Sequence, residues 1–199
     1  PKNALLRAYV LSPRLGQISA NLLGVPSIRL YHDNVLAKQS GCGRTPWHFD
    51  DHHFPLDTND VVTAWVPAQP TPIEMGPLSF AYPLDVHKLV NNVSFEKTGA
   101  GYDRGVSEVF AKNGVRVNET PFELGEVSFH HNLNFHTASR NSTNLSRVVL
   151  ANTYYRDGAR VINSPTMVSG DWQKFMPNVK PGEVAASPLN PICWPIDDK

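Results

Sequence analysis

The chain is poor in several features that mark large classes of protein, and cysteine is the first of them. Only two cysteines, Cys42 and Cys193, occur among its 199 residues, and they lie far apart outside any Cys-x-x-Cys pair. A disulfide framework or a cysteine-based zinc knuckle is therefore not expected. We expect two free thiols.

An excess of charge of one sign is also lacking. Lysine and arginine total 18, aspartate and glutamate total 18, and the formal net charge is zero. No overall field would attract nucleic acid or an anionic membrane surface. We therefore expect a small molecule, and not a nucleic acid, as the binding partner.

Long apolar runs are missing as well. No stretch approaches the ~20 apolar residues that a membrane span needs, and no charged-then-apolar leader is present. We expect no membrane partner and a location in the cytoplasm. The length fits one domain over residues 1–199 with a real hydrophobic core.

The apolar spacing predicts two helices followed by a mainly β region. Residues 1–24 carry leucine, isoleucine and valine near helical spacing, with a break at Pro13 and a stop at Gly24. After Pro26, short β-branched and aromatic runs alternate with turn residues, and these runs read SIRLYHDNVLAK, DVVTAWVPAQ, PLSFAY, EVSFHHNLNFHT and RVVLANTYY. This pattern favours an antiparallel sandwich or barrel over a βαβ array.

Two segments depart from that pattern. Residues 85–118 are polar and contain four glycines, which indicates an insertion or lid with one short helix around residues 106–112. Residues 157–199 are rich in proline and show little alternation, so we predict an irregular wrap over the surface.

Candidate chemistry is concentrated in TPWHFDDHHFPLD, residues 45–57. His48 and Asp50 are two residues apart, so on an extended strand both side chains point to the same face. A second group of histidines, which includes His136, follows about eighty residues later. Two histidines and one carboxylate form the ligand set of non-haem Fe(II) oxygenases. Taken alone, His-x-Asp is a weak motif, and the second cluster strengthens it.

Arg147 is the other informative residue. It begins the apolar strand RVVLANTYY, eleven residues after His136. A guanidinium inside a barrel needs a planar anion as its partner, and a dicarboxylic cosubstrate supplies one.

Over most of residues 25–195 the chain resembles the phytanoyl-CoA dioxygenase family of Fe(II)- and 2-oxoglutarate-dependent oxygenases. The motifs that carry the resemblance are WHFD, HHFPLDTNDVVTAWVP, EMGPLSF, GEVSFHHNLNFHTASRN leading to Arg147, and FMPNVKPGEVAASPLNP. The resemblance implies a mainly β fold, a double-stranded β-helix of the jelly-roll, cupin-like type, flanked by N-terminal helices.

The resemblance also implies roles for individual residues. His48, Asp50 and His136 would bind Fe(II), and Arg147 would pair with the distal carboxylate of 2-oxoglutarate. The residues expected to border the cosubstrate besides Arg147 are Trp65, Asn34 and Thr153.

One position departs from the family pattern. Relatives often carry a serine two residues after the distal histidine, where it shares the cosubstrate carboxylate with the arginine, and this chain has Ala138 there. The hydroxyl groups of Thr137, Ser139 and Thr153 are the candidates to replace that serine, unless Arg147 holds the carboxylate alone.

The reaction implied is oxidation, by default hydroxylation, of an unactivated C–H bond, with dioxygen as oxidant and decarboxylation of 2-oxoglutarate to succinate. Desaturation, ring closure and epoxidation use the same iron. We expect a small, partly apolar metabolite of secondary metabolism, either free or linked to a carrier such as coenzyme A. The expected substrate contacts are His52, His53, Phe54, His131 and Arg104, and we expect His52 and His53 to line the pocket and not to bind the metal.

Two other interpretations stay open at this point. One is a zinc-dependent metallohydrolase in which HFDDHH binds the metal and a metal-bound water is the nucleophile. That enzyme would need further ligands from the strand ends of a layered βαβ fold, which the strand pattern does not favour. The other is a catalytically silent jelly-roll binding protein, and the intact set of four site residues argues against it. The oligomeric state is not indicated.

Asp50 leads to a prediction about the reaction outcome. Halogenating relatives have glycine or alanine at the carboxylate position, which leaves a site for chloride. Because this chain has Asp50 there, we predict an oxidised but unhalogenated product when turnover is run in chloride and analysed by mass spectrometry. Detection of a chlorinated product would contradict this reading of Asp50.

Overall fold

The computed structural model describes residues 3–94, 101–165 and 170–195. Two helices open the chain, α1 over Ala4–Val10 and α2 over Pro13–Leu23. The side chain of Asn3 caps α1 by accepting hydrogen bonds from two backbone N–H groups of its first turn. Pro13 occupies the first turn of α2, and Gly24 ends this helix in the left-handed region at φ 68°. The predicted break and stop are therefore confirmed. None of the described helices is long and apolar enough to cross a membrane.

The remaining described residues form a mainly β structure with one further helix, α3, over Gly101–Asn113. The strands are β1 Ile28–Lys38, β2 Thr45–His48, β3 Val61–Pro67, β4 Leu78–Tyr82, β5 Arg116–Glu119, β6 Ser128–His131, β7 His136–Ala138, β8 Arg147–Arg156 and β9 Ile192–Trp194. They make a five-stranded sheet of order β6-β3-β8-β1-β9 and a four-stranded sheet of order β2-β7-β4-β5. Every described strand pair is antiparallel, so the layered βαβ fold that a zinc hydrolase would need is not formed by the described residues.

The two sheets enclose an apolar core that continues up to Arg147. Its buried members are Trp65, Leu78, Phe122, Ala138, Val149 and Ala151. Along β3, Trp65 faces this core, while Val62 and Ala64 face the opposite side and pack in a cluster with α2. Burial of both faces explains why β3 reads as a continuous apolar run and not as an alternating one.

A second layer covers the outer face of the four-stranded sheet. Residues Leu84–Lys88 form a short 3₁₀ helix, and α3 packs beside it over the sheet. The buried residues of this layer are Ala81, Val86, Val90, Tyr102, Val106, Phe110 and Phe135. The segment predicted as a lid therefore has its own hydrophobic contacts, and residues 95–100 within it lie outside the described part.

Three predictions about local structure need correction. The helix in the insertion is longer than the short one predicted around residues 106–112, and β5, which follows it, pairs with β4. The segment EVSFHHNLNFHT contains two strands, β6 and β7, which belong to different sheets. The tail is not wholly irregular, because β9 pairs with β1. Strands of three or four residues are too short for a period to be read, and their partners decide where they form.

Gly76 provides a test of how tightly the segment before β4 approaches the segment after β7, its neighbour in the four-stranded sheet. It has a φ of 72°, and a Cβ there would lie 2.2 Å from the carbonyl oxygen of Ser139. Gly76→Ala should therefore combine left-handed strain of about 1–2 kcal/mol with a backbone clash. We expect the free energy of unfolding, measured by urea denaturation, to fall by about 2 kcal/mol or more.

Gly158→Ala is the matched control for that substitution. Gly158 has a φ of 84°, but nothing lies within 4 Å of the added Cβ. It should show the strain alone, in the range of about 1 kcal/mol. Equal losses in the two variants would show that the approach of Gly76 to Ser139 has no energetic weight.

Candidate metal centre and adjoining cavities

Strand pairing brings the first two predicted metal ligands together. His48 ends β2, His136 begins β7, and the two residues are directly opposite in the antiparallel register. Their ring centroids are 4.2 Å apart. Asp50 follows β2, and its Oδ1 lies 3.7 Å from Nε2 of His48 and 3.9 Å from Nε2 of His136. One potential ligand atom from each residue falls within 4.8 Å of the others.

Each of the two imidazoles also contacts a backbone carbonyl through Nδ1, and this contact indicates which nitrogen carries the proton. Nδ1 of His48 lies 2.8 Å from the carbonyl oxygen of Pro46, and Nδ1 of His136 lies 2.9 Å from that of Asn134. A carbonyl only accepts, so Nδ1 carries a proton, and in the neutral tautomer of each ring this leaves the lone pair of Nε2 facing the carboxylate. Three electron-pair donors then face one point, which is the arrangement that a divalent cation fits.

The surroundings favour the protonation states that metal ligands need. Burial lowers the pKa of His136 to about 3, so its ring is neutral at neutral pH. Burial by itself would raise the pKa of Asp50, but the imidazoles of His136, His130 and His48 outweigh it and hold that pKa well below its usual range. A metal ion would displace no proton from either group at neutral pH.

His130 is a further member of the site, and it was not among the predicted site residues. Its buried Nε2 lies 3.5 Å from Oδ2 of Asp50, on the carboxylate oxygen that does not face the other two imidazoles. The ring also lies 4.7 Å, centroid to centroid, from that of His136. Successive side chains of a strand point to opposite faces, so His130 and His131 cannot both face Asp50, and His130 is the one that does. His130 therefore contacts the second carboxylate oxygen and limits rotation of the Asp50 side chain.

Asn132 connects the two chain segments that carry the site. Its carbonyl oxygen accepts hydrogen bonds from the backbone N–H of Asp50 at 2.8 Å and of Asp51 at 3.1 Å. Its side-chain amide donates to Oδ1 of Asp51 at 2.8 Å, and its own N–H donates to the carbonyl of Val61 at 3.0 Å. The turn after β2 is thus fixed to the turn after β6. No periodicity in the sequence marks this residue.

Arg147 is buried beside the flat wall made by Trp65. Its Cζ lies 5.1 Å from the Trp65 ring centroid, and Nη1 donates to the carbonyl oxygen of Gly76. Nε is buried and has no hydrogen-bond partner among the described residues. Burial lowers the pKa of Arg147 to about 10, so the guanidinium stays charged at neutral pH. The group therefore has donor capacity left for a ligand.

A second buried cation, Lys38, lies opposite Arg147 across the pairing of β1 with β8. Its Nζ donates to the carbonyl oxygens of Ala138 and Ser139 at 3.2 and 2.6 Å. Burial, and then the charge of Arg147, lower the pKa of Lys38 to about 8. Among the ion pairs of the described residues, none includes Lys38 or Arg147. Two adjacent buried cations make this end of the core favourable for an anion.

Most of the predicted site residues line one cavity of about 420 Å³, which we call the cosubstrate cavity. They are His48, Asp50, His136, Arg147, Trp65, Asn34, Thr153, His53 and Phe54. A second cavity of about 400 Å³, which we call the lid cavity, is lined by His52 and also by His48 and His53. His131 and Arg104, predicted as substrate contacts, line neither cavity.

The hydroxyl groups near Ala138 differ in their availability. The Thr137 hydroxyl donates to the carbonyl of Thr45, and the Ser139 hydroxyl donates to Glu119 at 2.9 Å. Thr153 lines the cosubstrate cavity together with Thr63, and their hydroxyl oxygens are 3.0 Å apart. One hydrogen lies between those two oxygens, so the other hydroxyl hydrogen of the pair is available to a ligand.

Comparison with known proteins gives a family and a set of similar folds. The model of the family described as phytanoyl-CoA dioxygenase (PhyH) matches residues 1–149. A comparison with curated proteins returned no match.

The similar solved structures include the non-haem alpha-ketoglutarate-dependent carbocyclase SnoK from nogalamycin biosynthesis, 24% identical with a TM-score of 0.75 over 96% of this chain and 72% of that one. The epimerase SnoN in complex with Fe3+, alpha-ketoglutarate and nogalamycin RO is 22% identical with a TM-score of 0.74, over 96% and 74% of the two chains. EctD from S. alaskensis with bound Fe is 16% identical, with a TM-score of 0.63 over 80% and 56%. These likenesses confirm the predicted jelly-roll fold class.

The connection through Asn132 generates a prediction about metal binding. In Asn132→Ala the amide contact to Asp51 is lost, and the turn that carries Asp50 is less constrained. We expect the affinity for Fe(II), measured anaerobically by calorimetry, to fall by about tenfold, as for other residues that orient ligands. Asn190→Ala is the control, because that buried amide instead donates to the carbonyl of Leu30 at 3.0 Å. Loss of Fe(II) affinity in the control, or its retention in Asn132→Ala, would contradict the role given to Asn132.

Proposed function

The chain belongs to the phytanoyl-CoA dioxygenase family, and on that premise we propose that His48, Asp50 and His136 hold its Fe(II). The family makes it a non-haem iron enzyme that depends on Fe(II) and 2-oxoglutarate. We further propose that Arg147 binds the distal carboxylate of 2-oxoglutarate. The reaction proposed is hydroxylation of an unactivated C–H bond in a small, partly apolar metabolite.

The observation that carries the metal assignment is the orientation of the two imidazoles. Both present an unprotonated Nε2 to Asp50 at 3.7 and 3.9 Å, too far apart for hydrogen bonds. Two histidines and one carboxylate leave the remaining coordination positions open for small molecules. Bound Fe(II) would allow dioxygen to oxidise the substrate while 2-oxoglutarate is decarboxylated to succinate.

The charges beyond these three residues support the cosubstrate assignment. Nε of Arg147 has no partner in the described part of the chain, and a second cation, Lys38, lies opposite it across the strand pair. A carboxylate placed there would offset charge that is otherwise buried without an anion. Thr153, with Thr63, offers one hydroxyl hydrogen to the same carboxylate and would serve where relatives use the serine replaced by Ala138.

Part of the wall of the cosubstrate cavity is apolar. Trp65 and Ala151 line this cavity and are also part of the buried core between the sheets. This part of the wall offers few hydrogen-bonding groups to water. SnoK and SnoN come from the biosynthesis of nogalamycin, which supports a comparable role for this chain in modifying a small metabolite.

Anaerobic titration with Fe(II) and then 2-oxoglutarate tests the proposed site. We expect a weak visible charge-transfer band in the wild type, followed by succinate formation once dioxygen is admitted. His136→Ala should abolish the band because one ligand is missing. Arg147→Leu should keep Fe(II) binding and weaken 2-oxoglutarate binding by about 100-fold, since a buried charged partner is worth roughly 3 kcal/mol.

Arg156→Leu is the control for loss of a guanidinium, because Arg156 is largely exposed and lies 3.6 Å from Asp60 at the far end of β8. It should bind 2-oxoglutarate as the wild type does. Persistence of the band in His136→Ala, or equal 2-oxoglutarate affinity in Arg147→Leu and Arg156→Leu, would refute the proposed assignments.

A further inference from the structure

The lid cavity lies beside the proposed metal site and is not used by the cosubstrate assignment. It has a volume of about 400 Å³, in the range of cavities that take metabolite-sized ligands. Its walls come from the strand end at Trp47 and Phe49, from the 3₁₀ turn after Asp50, and from the lid residues His87 and Val90. His48 and His53 line both cavities, so a ligand here would contact one of the three proposed iron ligands.

The two cavities differ in charge. The cosubstrate cavity contains Asp50 and Arg147, whereas none of the described residues that line the lid cavity is a lysine, arginine, aspartate or glutamate. The polar side chains of the lid cavity are imidazoles, a phenol and the amide of Asn91. These groups form hydrogen bonds to hydroxyl and carbonyl groups, but they provide no fixed cation for a carboxylate or a phosphate.

Aromatic rings give the lid cavity flat walls. The rings of Trp47 and Phe135 are stacked, with centroids 5.5 Å apart and an angle of 16° between planes. The ring of Phe49 lies 4.2 Å from that of His52 and 5.0 Å from that of His87. Flat, polarisable surfaces of this kind favour planar rings in offset or edge contact.

We propose that the lid cavity is the substrate pocket and that the substrate is an uncharged, planar aromatic compound with hydroxyl or carbonyl substituents. This rests on the proposed function, because the pocket adjoins the iron position assigned there. It selects against substrates linked to coenzyme A, whose phosphates would have no cation among the described lining residues. Stacking on the aromatic walls supplies affinity, and hydrogen bonds to the imidazoles orient the ring system.

The test compares two naphthalenes that differ in charge, with coenzyme A as a third probe. Protein loaded anaerobically with Fe(II) and 2-oxoglutarate is titrated at pH 8 with 2-naphthol, 2-naphthoate or coenzyme A, and binding is followed by calorimetry. We expect 2-naphthol to bind at least ten times more tightly than 2-naphthoate, and coenzyme A not to bind. Equal affinities for the two naphthalenes, or no binding of 2-naphthol, would overturn the proposal.

Two neighbouring asparagines provide matched variants that do not disturb the core. Asn91 and Asn92 are both exposed, but only Asn91 lines the lid cavity. Asn91→Lys should place a cation at the cavity and strengthen 2-naphthoate binding about tenfold, while Asn92→Lys should leave it unchanged. The same change in both variants would refute the assignment, because it would reflect surface charge alone.

The measurements also separate this proposal from the iron assignment. The charge-transfer band reports Fe(II) and 2-oxoglutarate, and naphthol binding reports the lid cavity. A normal band without naphthol binding would overturn the substrate pocket and leave the iron site standing. Naphthol binding without the band would support the pocket and refute the iron site.

Discussion

The short pairing of β2 with β7 is the interaction on which the functional part of the molecule depends. It places His48 opposite His136, although the two residues are 88 positions apart in the chain. The pair contributes few backbone hydrogen bonds of its own, so neighbouring contacts must hold it. Asn132 fixes the turn after β2, and the lid layer packs against the outer face of the same sheet. The geometry of the proposed metal site is therefore a property of the folded sheet and not of a local motif.

The two cavities differ in charge, and this difference would direct 2-oxoglutarate and the substrate to different cavities. Arg147, which has Lys38 opposite it on β1, makes one end of the cosubstrate cavity positive, and Asp50 makes the proposed metal position negative. The described walls of the lid cavity carry no fixed charge. A dicarboxylate and an uncharged ring system would thus be directed to different sides of one centre. This separation keeps the oxidisable compound and the carboxylate of 2-oxoglutarate from competing for the same residues.

The parts of the site that could be predicted are those with a local spacing or a direct chemical requirement. His48 and Asp50 were indicated by their chemistry and spacing, although the extended strand assumed for both ends at His48, and Asp50 has helical backbone angles of φ −89° and ψ −13°. Arg147 follows from its place at the start of an apolar strand. The contributions of His130 and Asn132 could not be predicted. His130 depends on which face of β6 meets Asp50. Asn132 acts through its backbone carbonyl, which every residue possesses, and through a side-chain amide whose partner, Asp51, lies 81 positions earlier in the chain. His131 and Arg104 were predicted as substrate contacts because of their side-chain chemistry, and this prediction was wrong for the two cavities, since neither residue lines them.

The sequence alone determined the fold class, the two N-terminal helices, the long strands and the residue types able to bind iron and a carboxylate. These features depend on periodicity, on proline and glycine positions and on side-chain chemistry, all of which are local. Tertiary structure decided the short strands β5, β7 and β9, the meeting of Asp50 with three imidazoles, and the existence of an uncharged cavity beside a charged one. The physical reason is that strand partners and enclosed volumes are set by contacts between distant segments, which no window of sequence contains.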